Sequence, residues 1–200
     1  LGDRPIDMVA IGEDMAGVLD AVGEPKADVV GYSFGGGIAL RLALAHPERV
    51  RRLVAVSCGF SRDGFYPEML PMQAAVGAQM APMMEQTPMY QTYKAVAPVP
   101  GDFPRLLDAM GELMRRPYDW REDLRRLAVP TLLVFGDSDM FRLEHVVDFY
   151  KLIGGGQRDA GWQREHMATN RLAIIPDVTH YELGDSPKLV ATVEPFLAAR

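Results

Sequence analysis

Three residue types that can relay a proton stand in order along the chain. Ser33 lies inside Gly31-Tyr32-Ser33-Phe34-Gly35, an aspartate pair lies in Gly136-Asp137-Ser138-Asp139, and His180 closes Pro176-Asp177-Val178-Thr179-His180. A serine hydroxyl is a weak nucleophile at neutral pH and needs a base within hydrogen-bond reach. Imidazole has the pKa for that task, and a carboxylate fixes its tautomer and stabilises the imidazolium that forms. The order Ser…Asp…His therefore points to acyl transfer, with Ser33 attacking a carbonyl and His180 moving the proton. Either Asp137 or Asp139 has the type and position to orient His180. A glycine-rich turn can also hold a serine that only caps a helix. Chemistry is favoured by the flanking pattern, because an apolar strand before Gly-x-Ser-x-Gly and a helix after it is the context of a nucleophile elbow.

The elements needed to position these groups are legible around them. Ala27 to Tyr32 reads as a short buried strand, and Ile38 to Ala45 reads as a helix stopped by His46-Pro47. A serine on so tight a turn needs small neighbours, which Gly31 and Gly35 supply, while Gly36 and Gly37 are expected to let the helix approach the sheet closely. The helix N-terminus, and the N–H of Phe34 in particular, would face an anion forming beside Ser33, with Tyr32 bordering the same site. Upstream, Ile6 to Val22 carries apolar residues mostly at helical spacing and ends at Gly23. Downstream, Arg51 to Ser57 reads as the next strand, so helix, strand, helix and strand alternate as in a parallel sheet.

That alternation breaks from about Gly59 to Leu127. The stretch offers no good strand and holds eight of the twelve methionines. Its prolines, at 67, 71, 82, 88, 98, 100, 104 and 117, divide it into short helices, one of them over Leu106 to Arg115. Met69, Met72, Met80, Met83 and Met84 could line an adaptable apolar pocket or simply pack this flap. The alternation resumes with a strand over Pro130 to Phe135, a helix over Leu143 to Leu152, a polar excursion through Asn170 carrying some helix, a strand over Leu172 to Ile175 and a closing helix over Pro187 to Ala199. The domain reading is core over 1–59, helical cap over 60–127 and core again over 128–200. In an open parallel sheet the loops at the C-terminal strand ends converge on one edge, which places Ser33, the aspartate pair and His180 on one rim.

Composition narrows the function classes. The net charge of −6 and the lack of a basic run argue against nucleic acid or an anionic membrane surface as partner. No apolar run is long enough to span a bilayer and no signal peptide is visible, so a cytoplasmic location is expected. Cys58, the sole cysteine, excludes an internal disulfide and reads as a buried inert thiol. Glu144-His145 and Glu165-His166 lack the paired spacing of a zinc site, so no metal is expected. Gly35-Gly36-Gly37 lacks the lysine and hydroxyl residue of a phosphate-cradling loop. His46 reads as structural, and His145 and His166 read as solvated.

Taken together, Gly-Tyr-Ser-Phe-Gly-Gly-Gly, the following His-Pro-Glu-Arg-Val, Pro-Thr-Leu-Leu-Val-Phe-Gly-Asp-Ser-Asp and Pro-Asp-Val-Thr-His-Tyr resemble the elbow, link, acid strand and histidine loop of the alpha/beta-hydrolase family. The likeness is specifically to small esterases, enol-lactonases and perhydrolase-like members. The resemblance covers most of the chain, with 60–127 in the place of the cap. It implies an α/β fold, a parallel sheet with a helical cap insertion, and assigns the acid to Asp139, with Asp137 as runner-up. It implies cofactor-free hydrolysis of a small-molecule ester, lactone or thioester. Carbon–carbon bond hydrolysis or perhydrolysis by the same three residues, or a binding protein keeping the fold with weak turnover, are the alternatives. Dehalogenase and epoxide-hydrolase relatives carry aspartate where Ser33 stands.

The resemblance also marks a departure. Family members place about four strands ahead of the segment at which this chain opens, and a loop there donates the second oxyanion-hole N–H. With Leu1 in place of methionine, the expectation is of an N-terminally truncated family member whose start lies upstream. Ala27–Tyr32 would then be a sheet edge, which pairing into a homodimer could cover.

Overall fold

The computed structural model describes residues 2–199. Four parallel strands, β1 (Ala27–Tyr32), β2 (Val50–Val56), β3 (Thr131–Ser138) and β4 (Arg171–Thr179), lie side by side in chain order. Ten α-helices accompany them: α1 (Met8–Ala21), α2 (Phe34–Ala45), α3 (Met69–Ala74), α4 (Ala81–Met84), α5 (Pro88–Val96), α6 (Phe103–Arg115), α7 (Arg121–Leu124), α8 (Leu143–Leu152), α9 (His180–Leu183) and α10 (Pro187–Ala198). The fold is α/β with a parallel sheet, as the alternation of elements predicts.

The chain divides into two compact units. The larger, 8–66 with 118–199, contains the sheet. The buried stretches of its central strands, 53–56 of β2 and 132–135 of β3, are apolar because both faces are covered there. Leu53 and Ala55 of β2 and Leu133 and Phe135 of β3 join α2 and α8 in one buried cluster, with Leu40, Val146 and Phe149 among its members. The alternate residues Val54, Val56, Leu132 and Val134 join Leu183, Leu189 and Val193 of α9 and α10 in a second. The period-two alternation of a strand thus sorts neighbouring residues into two cores. Phe60, Trp120 and Leu124, which sequence reading assigns to 60–127, belong to the first of these cores.

The smaller unit comprises 2–7 and Pro67–Pro117 and has a core of its own, built on Ala81, Phe103 and Leu107. Met80 and Met84 pack against that core, whereas Met72 and Met83 are exposed. Gly111 of α6 is needed for close packing here, since a Cβ on it would come within 2.0 Å of the Val76 carbonyl oxygen.

Three local expectations differ from the structure. The excursion over 154–170 forms turns and bends and contains no helix among the described residues; its glycines at 154, 156 and 161 take positive φ, which breaks any helical run. β3 and β4 extend further than expected, to Ser138 and Thr179, because they stay paired beyond a register shift between Gly136 and Ser138. His145 is buried rather than solvated, at 4% exposure. Its ring stacks on Phe60 with centroids 4.0 Å apart, and its Nε2 accepts the Phe60 N–H at 3.2 Å.

β1 is an edge strand paired only with β2 among the described residues, and Val30 on it is 51% exposed. No helix of the described residues is long and apolar enough to cross a membrane.

Burial holds His145 neutral, lowering its pKa from 6.5 to about 4. Above pH 6.5 neither the folded nor the unfolded form is protonated there, so His145 leaves stability independent of pH. Below 6.5 the unfolded chain takes up a proton that the folded one refuses, and stability falls until about pH 4. The loss from this group is expected to be on the order of 3 kcal/mol. Urea midpoints of wild type and His145→Gln between pH 7.5 and 4.5 check it: the variant should show a flatter decline.

Candidate active site

The site is built where β1 gives way to α2. Ser33 sits at the turn with φ 54° and ψ −118°, in the left-handed half of backbone space that serine rarely enters. Two contacts impose that strain. The Ser33 N–H donates to the Val56 carbonyl at the end of β2 at 2.8 Å. Gly31 comes so close to the start of α2 that a Cβ on it would lie 2.2 Å from the Gly35 carbonyl oxygen. The other glycines sort differently from the sequence reading. A Cβ at Gly35 would meet nothing within 4 Å, so smallness there is not demanded by its own surroundings. A Cβ at Gly36 would lie 2.8 Å from the Cys58 side chain beyond β2, as expected for close approach to the sheet, but one at Gly37 would meet Met8 of α1 instead.

β3 and β4 deliver the other two groups. At Gly136 a Cβ would lie 2.1 Å from the Val178 carbonyl oxygen, so only glycine lets the strand ends converge there. Just beyond, Asp139 leaves β3 and His180 leaves β4 as the first residue of α9. The Glu182 carboxylate accepts the Thr179 N–H at 3.0 Å and fixes the start of that helix.

The structure brings Ser33, Asp139 and His180 together. Ser33 Oγ and His180 Nε2 are 3.0 Å apart, and His180 Nδ1 and Asp139 Oδ1 are 3.2 Å apart. An ionised carboxylate only accepts, so Nδ1 donates to Asp139, and in the neutral imidazole Nε2 is left to accept from Ser33. The His180 and Asp139 side chains are 8% and 2% exposed. Burial pushes the Asp139 carboxyl up, but hydrogen bonds from His180, Ser57 and the Met140 N–H outweigh it and hold its pKa below the usual carboxylate value. Asp137, the runner-up, points away: it is exposed and accepts the Val178 N–H at 3.4 Å. Hydrogen bonds from the Asp177 and Val178 backbone lower its pKa.

Tyr32 does more than border the site. Its hydroxyl donates to the His180 carbonyl, and its ring stacks on the imidazole at 5.4 Å. Burial, then the charge of Asp139, raises the Tyr32 pKa, so the phenol stays protonated and able to donate. Phe34 opens α2, which leaves its N–H without an acceptor inside the helix. The ring of Phe141 meets His180 edge-on at 6.5 Å. Cys58 is buried, which pushes its thiol up to about 12 and leaves it unreactive. His46 pairs with Glu13 at 2.7 Å on the surface, and His166 is exposed. No cluster of metal-ligating side chains occurs among the described residues.

Sequence reading did not single out Ser57, whose hydroxyl donates to Asp139 Oδ2, or the spatial demand at Gly136. Nothing local marks Ser57, since one serine after an apolar strand is unremarkable until the partner strands are in place. Gly136 could have been found from its place ahead of the acid at a strand end, where chains crowd.

Residues 3–84 match the sequence profile of the alpha/beta hydrolase fold. The chain is 67% identical over 42 residues to 2-hydroxymuconate semialdehyde hydrolase from Pseudomonas putida, a match covering 21% of this chain and 15% of that one. It is 31% identical over 156 residues to the pimeloyl-(acyl-carrier protein) methyl ester esterase of Neisseria meningitidis serogroup B, covering 68% of this chain and 58% of the relative. The chain thus spans well under two thirds of either relative's length. Among solved structures, the enol-lactonase from Burkholderia xenovorans LB400 superposes with a TM-score of 0.65 at 19% identity, over 99% of this chain and 75% of that one.

The contrast between Gly31 and Gly35 is directly testable. Gly31→Ala is expected to destabilise the protein by at least about 2 kcal/mol, because backbone atoms on both sides of the contact must move. Gly35→Ala should change stability by less than about 1 kcal/mol. Urea unfolding of the two variants measures both.

Proposed function

The chain belongs to the alpha/beta-hydrolase fold family, and from that premise we propose that it is a serine hydrolase cleaving a carboxylic ester, lactone or thioester through an acyl-enzyme. The reading is carried by one observation, the unbroken run of hydrogen-bond contacts from Ser33 Oγ to His180 Nε2 and from His180 Nδ1 to Asp139 Oδ1. Ser33 attacks the carbonyl while His180 Nε2 takes its proton. The tetrahedral oxyanion meets the Phe34 N–H at the start of α2. As it collapses, His180 returns the proton to the leaving oxygen or sulfur. Water, deprotonated by the same ring, then attacks the acyl-enzyme and frees Ser33. Asp139 holds the ring in the tautomer each step needs and stabilises its charged form. The substrate class is a small acyl compound.

A second reading is hydrolysis of a carbon–carbon bond beside a carbonyl by the same three residues. It is favoured by the 67% identity over 42 residues to an enzyme named for 2-hydroxymuconate semialdehyde. The two readings share Ser33 and separate by substrate: p-nitrophenyl esters report the first, and loss of the near-ultraviolet absorbance of a ring-fission dienoate reports the second.

With p-nitrophenyl butyrate, Ser33→Ala should lower kcat/KM by at least about a thousandfold, with an unchanged thermal melt. A fluorophosphonate probe should label the wild type at Ser33 and leave the variant unlabelled. Undiminished turnover by the alanine variant overturns the assignment.

A further inference from the structure

Ser57 follows β2 directly, is fully buried, and has φ 50°. Its N–H donates to the Val134 carbonyl of β3 at 2.8 Å, which fixes its backbone between two strands. Its hydroxyl donates to Asp139 Oδ2. If backbone shape were the only demand at this position, glycine would meet it with less strain. The hydroxyl has a use only through the carboxylate.

We propose that Ser57 is a positioning residue: by holding Oδ2 of Asp139, its hydroxyl turns Oδ1 toward His180. The inference rests on the serine-hydrolase reading above. The distribution of donors supports it. Oδ1 accepts from His180 Nδ1 at 3.2 Å and from the Met140 N–H at 2.7 Å. Oδ2 accepts from Ser57 and from the Gly136 N–H, the latter at 3.3 Å. Gly136 and Met140 donate from the backbone of β3 itself and of the loop that follows it, so neither ties the carboxylate to another strand. Ser57 is the donor that does so from β2, the strand whose Val56 carbonyl also holds the Ser33 N–H. The end of β2 therefore fixes both ends of the proton relay: Ser33 through a carbonyl and Asp139 through a hydroxyl. Without that hydroxyl, Oδ2 keeps one long backbone contact, and the carboxylate is free to rotate out of line with the imidazole.

The test uses the full chain with p-nitrophenyl butyrate and the rate of fluorophosphonate labelling. Ser57→Gly tolerates positive φ, and Ser57→Ala keeps a side chain of similar size; the second serves if the first fails to fold. Either should lower kcat and the labelling rate by about tenfold, with KM changed by less than about twofold. Added to Asp139→Asn, Ser57→Gly should cost less than about twofold more, because its effect runs through the carboxylate already removed. A variant with wild-type kcat beside an impaired Asp139→Asn overturns the inference and leaves the functional reading standing. Losses that multiply in the double variant also overturn it, since they would mark a general structural role. An Asp139→Asn variant as active as wild type removes the functional reading, and this inference with it.

Discussion

A carboxylate with almost no access to water governs the rim of this sheet. Burying Asp139 in its charged form is costly unless hydrogen-bond donors replace its hydration. Its two oxygens collect four donors, from Ser57, the Gly136 and Met140 backbone, and His180. These come from the ends of three adjacent strands, so satisfying one charge draws those ends into a fixed arrangement. The donors overcome the burial penalty that opposes them and hold the Asp139 pKa below the usual carboxylate value. The apolar cores below set the sheet, and this polar junction sets the geometry above it.

Two close backbone approaches make the junction sterically attainable. Gly31 lets α2 start almost on top of β1, and Gly136 lets the end of β4 approach β3 closely. Each lacks a Cβ where a backbone oxygen, of Gly35 in α2 or of Val178 in the neighbouring strand β4, would otherwise collide with it. The first strains Ser33 into position and the second turns Asp139 and His180 toward each other. Neither contact adds binding energy; both remove an obstacle.

Much of this was legible in the sequence, for physical reasons that differ by residue. The strand near Ala27 to Tyr32 and the helix from about Leu143 to Leu152 could be read, because apolar runs and helical spacing are local signals. Ser33, Asp139 and His180 could be read because each lies at a strand's C-terminal end, where parallel topology dictates a shared edge. The preference for Asp139 over Asp137 came from a resemblance, and its physical basis is the register shift that leaves Asp137 exposed. Ser57 was illegible because its partner lies 82 residues away and its type is common in loops. His145 was misread because a histidine on a helix gives no local sign that Phe60 will stack on it. The absence of helix over 154–170 reflects glycines at positive φ, a conformation that composition alone does not fix.

The same constraints hold Ser33 in place at the end of β1. The rigidity of β1 and of the turn after it comes from several neighbours. α2 supplies part of it, since Gly36 seats the helix against Cys58 and its buried face enters the main core. α1 supplies more: a Cβ at Gly12 would already press on Arg41 and Leu42 at 3.1–3.2 Å, which puts the two helices in close contact. β2 supplies the rest through the Ser33 N–H. The position of the Ser33 hydroxyl is therefore set from the helical layer and from β2.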